Sequence, residues 1–400
     1  MTAKERAAKI LWYPCHELIL RDIVRAENCR LYDSRGNEYV DLGSGVWCTS
    51  IGHGHPRILR VIAEQSARIG HTGFNYSSEI VEESAGEILA LLGFEGGGGV
   101  FLCSGSEAVE YGVRVAQSVT DRPLLMTMTD SYFGAYGSAS RREQEEWFCF
   151  DWMAGARCSD SGCHEGCEHW ARIPFDRIGG FVFEPGSSSG LVQFPPEKLI
   201  RSLVDVVKSN GGLIIVNEVT TGVGQTGTWF GYQHYGITPD VVALGKGIGN
   251  GYPVSLAAFS PGVMERLGGE PLKYAQSHQN DPLGAAVALE VVRVIREEGL
   301  IERCGELATL LATGLEEVKT RTDRIKEIRA RGLMVAVELI DDPQASFTAR
   351  VHRELVRRGF VVGRRPGVSV LRLDPSLTID PEDIERFLKT LGDVLTESPS

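Results

Sequence analysis

Short, unbroken apolar runs punctuate the middle of this chain. Val100-Phe101-Leu102-Cys103, Leu124-Leu125-Met126, Phe181-Val182-Phe183, Leu213 to Val216 and Val241 to Leu244 are continuous rather than alternating, which is the pattern of strands covered on both faces. Between two of them Pro196-Glu197-Lys198-Leu199 opens a helix. Leu199, Leu203, Val206 and Val207 recur at helical spacing, and Asn210-Gly211-Gly212 closes it. Strand and helix in alternation predict an α/β fold whose sheet is mostly parallel, with right-handed crossovers. After about residue 283 the pattern changes. Gly284 to Glu298 is a long helical stretch, followed by a second with Ile301, Cys304, Leu307, Ala308, Leu311, Leu315 and Val318 on one face. Strands at Leu333 to Leu339 and Val368 to Leu373, with a helix over Ala349 to Arg358, predict a smaller α+β domain. Gly96-Gly97-Gly98-Gly99 reads as a flexible turn.

Composition narrows the function classes. At about 150 residues per domain, 400 residues predict two or three domains. A net charge of −12 argues against nucleic acid, which needs clustered Lys and Arg. No run approaches 18 consecutive apolar residues, so no membrane span is expected. The start, Met1-Thr2-Ala3-Lys4-Glu5-Arg6, has no apolar export core, and nine cysteines without one read as reduced thiols in a cytoplasmic protein.

The most informative residue is Lys246. It follows the apolar run Val241 to Leu244 and lies between Gly245 and Gly247, a setting in which burial lowers an amine's pKa and makes it a nucleophile. Upstream, a second buried run leads into Asn217-Glu218-Val219-Thr220-Thr221-Gly222 and then Gly224-Gln225-Thr226-Gly227. The segment Gly222 to Gly227 fits a dinucleotide fingerprint formally. However, it does not directly follow its strand, and Thr228-Trp229-Phe230-Gly231-Tyr232 after it is no helix start, so that role is rejected.

This order of strand, polar strand end, glycine turn, aromatic stretch, strand and lysine resembles the class III aminotransferases, pyridoxal phosphate enzymes of fold type I. Further matches run co-linearly from about residue 30 to 390. They include Leu31 to Asp41, Gly52-His53-Gly54-His55-Pro56, Cys103-Ser104-Gly105-Ser106-Glu107-Ala108, Glu184-Pro185, Asp281-Pro282-Leu283, Arg331-Gly332-Leu333-Met334 and Leu371-Arg372-Leu373-Asp374-Pro375. The resemblance implies a large domain over 51–282 with a seven-stranded, mostly parallel sheet. It also implies a small α+β domain over 283–400, which the N-terminal segment 1–50 joins. His53 and His55 then belong to a structural glycine turn rather than a metal site.

The resemblance implies the following roles, residue by residue. Lys246 carries the cofactor as a Schiff base. Gly105 and Ser106, at a helix start, offer N–H groups and a hydroxyl to the phosphate. Ser277, five residues before Pro282, completes that cradle from the partner subunit of a homodimer, with serine in place of threonine. In Ser131-Tyr132-Phe133-Gly134, Tyr132 stacks on the ring, and Phe133 stands where histidine is usual. Val219, two residues after Asn217 and so on the same side of a strand, covers the other face. Thr220 lies near the phenolic oxygen, Glu184 near cofactor and substrate, and Arg372 binds a substrate carboxylate. Gln225 occupies a position that is commonly arginine.

Asn217 is the main departure, because the family has aspartate there. An aspartate keeps the ring nitrogen protonated so that the ring can absorb carbanion electrons. The charge is worth about 1–3 pKa units, roughly 1.4–4 kcal/mol. Asparagine either leaves a weaker electron sink or relies on a compensating group, and in the first case Asn217→Asp should speed proton removal. The expected activity is transfer of an amino group from an amine or ω-amino acid to a keto acid. Racemisation or elimination is the alternative that Asn217 motivates, and a catalytically silent cofactor-binding relative is another. Finally, Cys158, Cys163, Cys167 and His169 fall within twelve residues, where four soft ligands could close a structural zinc site or leave a loop with free thiols.

Overall fold

The computed structural model describes residues 18–73, 75–155, 166–269 and 272–397. It opens with an antiparallel meander of β1 (Ile23–Glu27), β2 (Arg30–Asp33) and β3 (Glu38–Asp41). Asp33 fixes the β2–β3 turn by accepting the N–H groups of Arg35 and Asn37, each at 2.9 Å. Helices α1 (Pro56–Arg68) and α2 (Glu79–Leu92) follow.

The central sheet contains β4 (Gly98–Leu102), β5 (Leu124–Met128), β6 (Trp147–Phe150), β7 (Ile178–Phe183), β8 (Leu213–Asn217), β9 (Val241–Leu244) and β10 (Ser255–Phe259). Its seven strands run in the order β4-β10-β9-β8-β7-β5-β6. From β9 through β6 every pairing is parallel, whereas β10 is antiparallel to both β4 and β9. The apolar runs explain why the sheet needs cover on both faces. Val182, Ile215, Val241 and Ala243 join one buried cluster with Ala108 and Val109 of helix α3 (Gly105–Val119). Their strand neighbours Phe181, Phe183, Ile214, Val216, Val242 and Leu244 join another with Leu199, Leu203 and Val207 of α4 (Glu197–Ser209). That period-two division is what a strand imposes.

Two features differ from the sequence expectation. β10 is short and alanine-rich and carries no strand signature. Gly98 and Gly99 are not a flexible turn but part of β4, paired with Phe259 and Ala258 of β10.

The remainder begins with α5 (Pro282–Glu297) and α6 (Leu300–Thr320). Strands β11 (Ile325–Arg331), β12 (Met334–Leu339), β14 (Gly363–Arg364) and β15 (Val370–Leu373), with β13 (Phe360–Val361), accompany α7 (Ser346–Arg357) and α8 (Pro381–Glu397). One sheet has the order β11-β12-β15-β14. β13 instead pairs in parallel with β3, Phe360 opposite Val40 and Val361 opposite Asp41. The N-terminal meander and the C-terminal part therefore share a sheet.

Candidate active site

Strand ends and helix starts converge on one cavity of about 210 Å³. Gly105, Ser106, Tyr132, Gly134, Ser188, Asn217, Val219 and Lys246 contribute to its wall. β9 stops at Leu244, and Lys246, with φ +46°, opens a short 3₁₀ turn over Lys246–Gly249. Burial pulls the lysine's pKa down from the usual value, and nearby Arg372 adds to this, while Cys48, Glu184 and Asp374 act against it.

The α3 start is built so that Ser106 is not consumed as a cap. Ser104 is the N-cap, and its hydroxyl accepts the Glu107 N–H while Glu107 Oε2 accepts from the Cys103 N–H at 3.1 Å. Ser106 Oγ instead accepts from the Ala135 N–H at 3.1 Å. The N–H groups of Gly105 and Ser106 lie in the first turn, where no intrahelical partner exists. Close approach here depends on glycine. A methyl at Gly105 would fall 2.7 Å from Val219 Cγ1, and one at Gly134, where φ is +113°, would fall 2.4 Å from Ser106 Oγ.

Asn217 ends β8, and Val219, two residues on, lines the same cavity. Asn217 Nδ2 donates to Tyr132 O at 3.2 Å and to Glu184 Oε1 at 3.3 Å, and its Oδ1 accepts from the Val219 N–H at 3.1 Å. Glu184 is buried behind this residue. It accepts from the Tyr132 N–H at 2.9 Å, the Ser188 N–H at 3.4 Å and the Ser188 hydroxyl. Burial pushes its pKa up to about 7 against the pull of these donors. Tyr132 is 47% exposed, so it is a wall of the cavity and not a core tyrosine. Phe133 is the core residue, packed against Trp147. Thr220 is buried outside the lining, and its hydroxyl has no partner among the described residues.

Trp47 is the site residue that the sequence did not announce. It closes a turn in which Ser44, Gly45, Val46 and Trp47 all have left-handed φ, between +39° and +64°. Such backbone costs about 1–2 kcal/mol per non-glycine residue. Asp41 offsets the strain by accepting the Gly43 and Gly45 N–H groups at 2.9 Å each, and it also meets His53 Nε2 at 2.9 Å. The turn sets the indole beside two cations, Lys246 Nζ at 5.7 Å and Arg372 Cζ at 4.0 Å from the ring centroid. Arg372 Nε is buried without a hydrogen-bond partner among the described residues. The only local signal was Gly43 and Gly45 shortly before an aromatic residue.

Ser277 is exposed and outside the cavity of its own chain. Of the proposed zinc ligands, Cys158 and Cys163 lie outside the described residues. Cys167 Sγ accepts from the Trp170 N–H as the cap of a short helix over Glu168–Ala171, which carries His169. Among the described residues a different group gathers metal-type ligands, namely His71 and His278 around Asp281. There each Nδ1 meets the carboxylate at hydrogen-bonding distance, 2.7 and 2.5 Å.

The family model for "Aminotransferase class-III" matches residues 13–144 and 156–395. The chain belongs to the class III aminotransferases. It is a pyridoxal-phosphate-dependent enzyme of that family. An acetylornithine aminotransferase of Methanopyrus kandleri is 31% identical over 94% of this chain and 94% of its own. A leucine/methionine racemase of Thermococcus litoralis is 27% identical over 92% and 89%. A Bacillus anthracis aminotransferase structure superposes with a TM-score of 0.87 at 24% identity, covering all of both chains, and so shares the fold. Gln225 stands where the resemblance led to an expectation of arginine. It is buried, and its Nε2 donates to Leu333 O at 3.2 Å and Pro375 O at 3.4 Å, so an uncharged amide ties the backbone there. No helix among the described residues is long and apolar enough to cross a membrane.

Proposed function

We propose that this aminotransferase moves an amino group from an amine or ω-amino acid to a keto acid, with the cofactor attached at Lys246 Nζ. The observation that carries the reading is the convergence on one cavity of a buried amine, a helix start with unspent N–H groups, an exposed tyrosine and a valine. Gly105 and Ser106 would bind the phosphate, Tyr132 and Val219 the two ring faces, and Asn217 the ring nitrogen. Thr220, with its unpartnered hydroxyl, and Glu184 complete the surroundings, and Ser277 would enter from the partner subunit of a cytoplasmic homodimer. The division into 51–282 and 283–400 with 1–50 belongs to the same proposal.

When bound, pyridoxal phosphate takes up the electron pair left as the carbon beside the amine loses its proton. The protein's part is to hold and move that proton. Lys246, whose pKa burial lowers, would accept it at Nζ and release it again toward the cofactor side of the site. Arg372 orients a donor or acceptor carboxylate with its guanidinium fork. Trp47 keeps water from the two cations beside it.

Asn217 and the racemase relative favour a second reading, in which a proton is returned to the carbon from which one was taken, but on its opposite face. Product analysis separates the two. Purified enzyme mixed with a panel of amines and ω-amino acids should lose its cofactor absorbance in single turnovers and release a keto compound. A donor that is inverted with no keto compound formed would decide for racemisation.

A further inference from the structure

Asn217 lacks the charge that its position calls for, and its hydrogen bonds identify the group that replaces it. Its side-chain nitrogen faces two acceptors, Tyr132 O and Glu184 Oε1, and its oxygen faces one donor, the Val219 N–H. These three partners fix which way the amide points. Turned over, it would set oxygen against two oxygens and NH₂ against N–H. Both Nδ2 hydrogens are therefore used, and what Asn217 can still offer a molecule in the cavity is an oxygen lone pair. It cannot donate to a neutral ring nitrogen without breaking one of these bonds. It can accept from a protonated one.

Glu184 sits at the other end of the same amide, 2% exposed. It accepts from four neutral donors: the Tyr132 and Ser188 N–H groups, the Ser188 hydroxyl and Asn217 Nδ2. A carboxyl surrounded by donors is arranged as an anion. No cation is among those four, so its charge remains available to the cavity.

We propose that Glu184 and Asn217 together form the counter-ion of the cofactor's ring nitrogen. Asn217 Oδ1 accepts the hydrogen bond from the protonated nitrogen, and the Glu184 carboxylate, bonded to the amide's NH₂, supplies the negative charge. Glu184 is thus a positioning residue that acts through Asn217. The inference rests on reading the cavity as the cofactor site with Asn217 facing the ring nitrogen. Burial raises the Glu184 pKa to about 7, and a protonated ring nitrogen beyond the amide would draw it down again toward the anion.

The test is the protonation state of the ring nitrogen, read without turnover. Wild type, Glu184→Gln, Asn217→Leu and the double variant Glu184→Gln/Asn217→Asp are loaded with pyridoxal phosphate labelled with ¹⁵N in the ring. The nitrogen chemical shift is then followed against pH. Wild type should show a protonated ring at pH 7. A unit charge one bridging residue away shifts a pKa by about one unit, so Glu184→Gln should bind the ring proton about 10-fold more weakly. Asn217→Leu, which removes the bridging amide, should show a comparable loss. The double variant should recover protonation, because the carboxylate then contacts the nitrogen directly. An unprotonated ring in wild type at pH 7 overturns the proposal, as does a midpoint unmoved in Glu184→Gln or Asn217→Leu. Wild type that takes up no labelled cofactor overturns the proposed function beneath it as well.

Discussion

The Lys246 ammonium nitrogen lies 5.7 Å from the centroid of the Trp47 indole. The same ring stands 4.0 Å from the Arg372 guanidinium carbon, so two positive groups share one aromatic neighbour. Arg372 therefore does more than wait for a carboxylate. As a like charge it pushes the lysine toward its neutral form, in the same direction as burial.

This has a pH signature. Attachment of cofactor to the apoprotein requires unprotonated Nζ, so its rate should rise with pH and level off below the ordinary lysine value of 10.5. Arg372→Gln removes a charge that lowers the lysine pKa, and the midpoint should move up in pH. Stopped-flow absorbance at a series of pH values measures this, and a midpoint that moved down would contradict the sign.

The strained turn that carries Trp47 depends on Asp41. Asp41→Ala removes the acceptor for the Gly43 and Gly45 N–H groups and for His53. Gly43 and His53 are half-buried and Gly45 is exposed, so each lost hydrogen bond costs its net worth of about 0.5–1.5 kcal/mol, and urea unfolding should show a loss of about 1–3 kcal/mol. Arg372 should also lose its aromatic support, raising the KM of a carboxylate-bearing substrate more than it changes kcat. A variant as stable as wild type would mean that the turn holds without this carboxylate.

The proposed phosphate end, and the contribution proposed for Ser277 of a second subunit, can be probed separately. Gly134→Ala would force a methyl to within 2.4 Å of Ser106 Oγ at a φ that favours glycine, and cofactor should dissociate at least about 10-fold more readily. Ser277→Ala should also weaken retention, and sedimentation should show a dimer for the loaded protein. A fully loaded monomer contradicts the role given to Ser277.

Much of this was legible from sequence because the signals were local and strong. The runs at Leu213 to Val216 and Val241 to Leu244 are β8 and β9 nearly to the residue, and Phe181 to Phe183 is the second half of β7, which begins at Ile178. Asn217 and Val219 do share one cavity, but Val219 lies in the turn beyond the end of β8 and not on the strand that the spacing assumed. Ser255-Leu256-Ala257-Ala258-Phe259 carries too little β-branched character to announce β10, which exists because β4 and β9 flank it. Helix α8 has its signal in the helical spacing of Ile384, Phe387, Leu388, Leu391 and Val394. Trp47 and the Glu184–Asn217 bond could not be read at all, since each joins residues far apart in the chain.

That bond reverses one sequence expectation. With Asn217 as a lone deficit, Asn217→Asp would speed proton removal. With Glu184 Oε1 at 3.3 Å from Asn217 Nδ2, the change sets two carboxylates against each other, and such a pair retains a proton. Donor deprotonation in Asn217→Asp should therefore stay within about 3-fold of wild type. Single-turnover rates with ordinary and deuterated donor provide the comparison, and a gain of tenfold or more would return Asn217 to the status of a simple deficit.

The central claim is that Lys246 is the residue that carries the cofactor. Purified enzyme treated with borohydride, digested and mapped by mass spectrometry should hold the reduced pyridoxyl adduct on the peptide containing Lys246, and Lys246→Ala should hold none. An adduct on another lysine, or a wild-type protein with no adduct, would contradict the account at its base.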